Sequence, residues 1–215
     1  AAWVPGSVPQ IHEDGLAVPI AAGSRIVMQV HYNLISSATE PDATTLEMRL
    51  TDEPPEMLVA TRPIIIRNLD IPAGEAAAVN YATYRNYSNE TLTIAAVAGH
   101  MHTLGTSVKS TIQRAEGGEE CLLDIPAWDF SWQQGYRIPR DEWVQVEPGD
   151  ALTIRCTYDN SQANQPFVDG QQIEPRDVTW GEGTLDEMCM VYMTLIRPYT
   201  PPAPADALCA PSDGE

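Results

Sequence analysis

Prolines and glycines interrupt this chain so often that no long helix fits between them: 18 prolines and 14 glycines punctuate 215 residues. Proline removes a helical donor and clashes with the preceding turn, and glycine weakens helix and strand interiors alike. The apolar runs between these breaks recur every ten to fifteen residues or so, the rhythm of an antiparallel sandwich or barrel. Strands are expected at 25–34, 45–50, 61–66, 77–84, 92–102, 107–114, 151–158 and 189–196, while apolar residues at the helical 3.6 spacing are nearly absent. Ile71-Pro72-Ala73-Gly74-Glu75 and Val146-Glu147-Pro148-Gly149-Asp150 read as turns leading into strands. The expected class is all-β.

The polar stretch 36–42 reads as a boundary, so residues 1–40 are expected to be the C-terminal remnant of a preceding β-sandwich domain. Residues 41–200 form the main domain, and the proline-rich residues 201–215 an extended tail that cannot sustain a ladder. The chain opens Ala1-Ala2-Trp3 without Met, as expected of a piece of a longer precursor. No internal repeat is visible.

With 43% hydrophobic residues the chain can build a core. A net charge of −18 with only 12 Lys and Arg argues against nucleic acid or an anionic membrane surface as a partner. No run reaches the roughly 20 apolar residues of a membrane span. Ser-His-Asp sets, P-loops and dinucleotide fingerprints are missing, and the pairs Glu119-Glu120 and Asp141-Glu142 read as solvated turn charges. Cys121, Cys156, Cys189 and Cys209 lack any C-x-x-C spacing, which favours two disulfides over zinc and implies an oxidising, extracytoplasmic setting, secreted or periplasmic.

Chemistry concentrates in Val97-Ala98-Gly99-His100-Met101-His102-Thr103-Leu104-Gly105, which holds two of the four histidines. On a strand, successive side chains alternate faces, so His100 and His102 share one face and Met101 takes the other. Two imidazoles could then share one metal ion. The bland alternative is a pair of solvated histidines on an exposed face.

The second element is Trp180-Gly181-Glu182-Gly183-Thr184-Leu185-Asp186-Glu187-Met188-Cys189-Met190-Val191-Tyr192, a turn-rich loop that places Met188 at the entrance of an apolar strand. By residue type alone Met188 is core filler. As a ligand its thioether would favour Cu(I), and beside two imidazoles would point to copper rather than zinc.

Gly99-His100-Met101-His102 together with Asp186-Glu187-Met188-Cys189 and Tyr192 resembles the C-terminal half of the copper type II, ascorbate-dependent monooxygenases. Gln29-Val30-His31-Tyr32 resembles the family segment carrying one histidine of the second copper centre, and Trp3-Val4-Pro5-Gly6 resembles its W-x-P-G. Asp124-Ile125-Pro126-Ala127-Trp128-Asp129-Phe130-Ser131-Trp132-Gln133 and Tyr158-Asp159-Asn160-Ser161 look like bacterial members of the superfamily.

The resemblance implies an antiparallel jelly-roll-like β-sandwich. It also implies a catalytic copper held by His100, His102 and Met188, which binds dioxygen and hydroxylates a substrate C–H bond. His31 would be one ligand of a second, electron-transferring copper fed by ascorbate or a similar reductant. Apart from His12 no histidine remains for that second site, so its other ligands are expected in a missing N-terminal domain. Tyr192 matches a substrate-contacting tyrosine. Where the peptide-hydroxylating member has a carboxylate-gripping arginine this chain has Ala98, and where it has asparagine this chain has Met190, which points to a neutral or hydrophobic small-molecule substrate. The family pairs Cys156 with Cys189, and Cys121 with Cys209 follows by elimination.

The reading is thus a copper-dependent monooxygenase half, inactive by itself if the pocket needs both domains. The rival is a non-catalytic copper-binding or structural β-sandwich module. A zinc-binding all-β domain is a third, weaker reading.

Overall fold

The computed structural model describes residues 3, 7–30, 32, 41 and 43–201. Strands among them are β1 (Leu16–Ala17), β2 (Met57–Ile66), β3 (Ala78–Arg85), β4 (Leu92–His100), β5 (Gly105–Gln113) and β6 (Glu119–Ile125). They continue with β7 (Gly135–Arg137), β8 (Val144–Val146), β9 (Ala151–Tyr158), β10 (Phe167–Val168), β11 (Gln171–Gln172) and β12 (Cys189–Pro198). No α-helix occurs among the described residues, so the all-β expectation is met.

The first sheet runs β1-β2-β12-β4-β7, with β8 also on β4, and the second runs β3-β9-β5-β6. Apart from the short parallel β1–β2 pairing, the ladders are antiparallel. Ile64, Ile66, Val97, Val191 and Met193 of the first sheet pack with Val108, Ile112, Leu152 and Ile154 of the second in one core, making a sandwich. On β12, Cys189 and Val191 are fully buried and Met193 nearly so, so odd-numbered residues face the core. Strand alternation sends Met190 and Tyr192 to the opposite face.

The sheets come close where β4 faces β5. A Cβ on Gly99 would lie 2.8 Å from Val108 Cγ1, closer than packed carbons approach, so only glycine lets the backbone sit there. The Cys156–Cys189 disulfide joins β9 to β12 and ties the two sheets together, as the resemblance implied. Cys121 is exposed and has no disulfide partner among the described residues. Its expected pairing with Cys209 lies outside the described residues, as does His31.

In two of the expected strands, 25–34 and 45–50, the described residues form no ladder. Residues 25–30 and 45–50 carry strand-like patterns, yet no strand is assigned there, and Val27 is 87% and Leu50 71% exposed. Alternation specifies a face but supplies no neighbouring strand, and a ladder needs both. β4 ends at His100 rather than His102, and the short edge strands β7 and β8 carry too few residues to show a period.

Candidate metal centre

β4 delivers His100 at its last position, and the chain then turns toward β5. Met101 is fully buried in the core, while His100 is half-buried and His102 is 6% exposed. The expected alternation therefore holds through the turn. The two imidazoles stand edge to face with centroids 5.3 Å apart.

Each ring is held through Nδ1. His102 Nδ1 lies 2.8 Å from the Asp186 carbonyl oxygen, which can only accept, so Nδ1 carries the proton. His100 Nδ1 lies 2.7 Å from Gln133 Oε1. The Gln133 amide is oriented by its Nε2, which donates to the Phe130 carbonyl at 2.9 Å, so Oε1 accepts from His100. Both neutral rings thus carry their lone pair on Nε2, the arrangement that ligation through Nε2 requires. Burial pushes the His100 pKa down against the opposing hydrogen bond to Gln133, and the neighbouring His102 adds to the lowering, which favours the neutral ligand form.

Glu187 builds the other side. Fully buried, its Oε2 accepts from the backbone N–H of His102 at 2.8 Å and of Met188 at 3.2 Å. Its Oε1 accepts from Leu104 N at 2.6 Å. Burial raises this carboxyl to about 7 against the opposing pull of its backbone donors. The Asp186-Glu187-Met188 turn is thereby fastened to the end of β4. Tyr158 Oη adds a 3.0 Å bond to the Met188 carbonyl, and the disulfide anchors the next residue.

Of the remaining residues singled out in the sequence, Tyr192 lies opposite Ala98 on β4, and Met190 lies opposite His100. Residues directly opposite on antiparallel strands present side chains to the same face. Ala98, His100, Met190 and Tyr192 therefore share the outward face of the first sheet, flanked by Ile65 and Pro63 of β2. Tyr192 is half-buried, with its hydroxyl 3.8 Å from Met190 Sδ. His12 interacts with Arg137, which lies opposite Ala96 on β4, and its pKa is lowered first by burial and then by that guanidinium.

Among the described residues no group of three or more His, Cys, Asp or Glu side chains is placed to hold a metal ion. Glu187 is occupied by backbone donors, and Asp186 Oδ1 by Arg176 Nη2 at 3.2 Å. Two imidazoles therefore stand beside the Met188 turn, with Met190 opposite His100, and a donor set of imidazoles with a thioether would fit copper better than zinc.

Sequence reasoning missed Gln133 and Glu187 as supports. Glu187 stands inside the quoted D-E-M-C element, but neither residue type nor spacing shows where its carboxylate points.

An all-β sandwich with a pair of oriented imidazoles at the rim of one sheet is a scaffold suited to a metal. The sequence model of the copper type II ascorbate-dependent monooxygenase C-terminal domain matches residues 64–212. The chain belongs to that family, and the matched region is its C-terminal domain.

Proposed function

We propose that His100, His102 and Met188 hold one copper ion and that this chain is the catalytic-copper half of a monooxygenase. The observation that carries this reading is the double Nδ1 anchoring, which turns both Nε2 lone pairs into donors beside the Met188 turn. Copper bound there would supply dioxygen activation for hydroxylation of a substrate C–H bond, with electrons from ascorbate or a similar reductant.

The chain's own residues define the rest. Ala98, Met190 and Ile65 line the face beside His100 with apolar surface, and the Tyr192 hydroxyl is the polar group there. A neutral or hydrophobic small molecule fits such a wall, since Ala98, Met190 and Ile65 offer a carboxylate no cation, and Arg137 lies further along the face, opposite Ala96. Burial raises the Tyr192 pKa, so the hydroxyl stays protonated and can donate a hydrogen bond.

The remaining parts of the reading come from the family. Residues 1–40 are taken as the end of an N-terminal β-sandwich domain, with His31 as one ligand of a second copper and the other ligands in that domain. Residues 41–200 would then be the copper-binding domain and 201–215 its tail. The disulfide fits an extracytoplasmic location, secreted or periplasmic.

Anaerobic Cu(I) loading followed by X-ray absorption tests the site. One Cu(I) per chain with nitrogen and sulfur scatterers is expected, and the sulfur should vanish in Met188→Ala. Absence of a tight site, or a sulfur signal indifferent to that substitution, overturns the assignment. Copper binding without hydroxylation, even with both domains present, would favour the non-catalytic module.

A further inference from the structure

We propose that Gln133 is the positioning residue of this centre: its side chain holds His100 as the Nδ1–H tautomer and sets the direction in which Nε2 points. The inference rests on the copper reading only for its purpose, because the hydrogen bonds belong to the protein without metal.

Gln133 is 2% exposed, and a buried amide must find partners for both of its ends. Its Nε2 donates to the Phe130 carbonyl at 2.9 Å and its Oε1 accepts from His100 Nδ1 at 2.7 Å. The first bond orients the amide, and the second imposes a tautomer on the ring. A structural glutamine would need only some donor at Oε1. Here that donor is one nitrogen of a ring whose other nitrogen is the metal donor.

The segment between β6 and β7 that carries Gln133 also controls His102. Trp128 Nε1 donates to the His102 carbonyl at 3.1 Å, and the Phe130 ring meets the His102 ring edge to face at 6.1 Å. Asp129 shapes the turn between them, its Oδ1 accepting from Ser131 N at 2.8 Å and its carbonyl from Trp132 N at 3.0 Å. Trp128, Phe130 and Gln133 thus form one wall against both imidazoles, with Gln133 the member that fixes a proton.

Long-range 15N–1H spectra of the metal-free protein at pH 8 read the tautomer of each histidine directly. Wild type should show His100 protonated at Nδ1. Gln133→Leu should move His100 toward the Nε2–H form, leave His102 unchanged, and weaken Cu(I) binding about 10–100-fold. Gln133→Glu, which keeps an acceptor oxygen, should restore the Nδ1–H pattern and most of the affinity. A wild-type His100 protonated at Nε2 overturns the proposal. So does a folded Gln133→Leu with wild-type tautomer and affinity. If Gln133→Leu does not fold, the wild-type and Gln133→Glu spectra decide. A tautomer switch in protein that binds no Cu(I) would sink the copper reading and leave the positioning role standing.

Discussion

His102 and Met188 share one hydrogen-bond acceptor: Glu187 Oε2 takes the backbone N–H of the first at 2.8 Å and of the second at 3.2 Å. Two segments far apart in sequence are thereby held side by side through a single buried oxygen. A carboxylate suits the task because its oxygens accept several donors at once.

Truncating that carboxylate leaves the amides of His102, Leu104 and Met188 without their acceptor inside the protein. An unsatisfied buried donor costs about 1–3 kcal/mol, so Glu187→Ala should lose about 3 kcal/mol or more by urea denaturation. Glu187→Gln keeps one acceptor oxygen and should lose less. A loss below about 1 kcal/mol for the alanine variant would show that the clamp is dispensable.

The Cys156–Cys189 bridge closes a loop with sequence separation 33 and adjoins Met188. Loop-closure entropy predicts a loss of about 3–4 kcal/mol when both cysteines become serine. Thermal unfolding should register the loss, and Cu(I) affinity should fall with it, because the Met188 turn would then keep its hydrogen bonds but lose its covalent anchor. An unchanged midpoint would exclude the bridge as a stabilising element.

Asp150 gives the acid limb of stability. Its buried carboxylate accepts from Ala115 N at 2.8 Å, Arg114 Nη1 at 2.7 Å and Glu147 N at 3.0 Å, and these bonds, Ala115 foremost, hold its pKa below the usual range. Because the folded value is depressed, the stabilisation is complete above the unfolded value of about 3.9 and is lost as pH falls through the folded one. Asp150→Asn should cost about 1–3 kcal/mol at pH 7 and flatten the decline of stability below about pH 4. Equal acid slopes in the two proteins would remove Asp150 from the account.

Gly99 is a steric prediction. Gly99→Ala places a carbon 2.8 Å from Val108 Cγ1 and forces β4 away from β5, for a loss of about 1–3 kcal/mol. Val108→Ala should relieve part of it in the double variant. Additive losses would mean that the two side chains do not compete for the same space.

The all-β class and most long strands were readable because period-two alternation and Pro/Gly breaks are local signals. The 151–158 strand matches β9, and 189–196 lies within β12. The His100/His102 geometry was readable for the same reason, with Met101 in the core between them. Gln133, Glu187 and the Asp186 carbonyl were not, because each acts through a hydrogen bond across a long sequence separation. Such contacts exist only once the sheets have closed. The strand patterns at 25–30 and 45–50 misled for a related reason, since they describe a face without its neighbour.

β12 carries two messages interleaved at every second residue. Cys189, Val191 and Met193 answer to the volume between the sheets, where substitutions are judged by fit. Met190, itself buried, and half-buried Tyr192 lie on the other face, beside His100. The strand can therefore be rewritten on one register while the other is kept, so that the face beside His100 can change without disturbing the architecture that carries it.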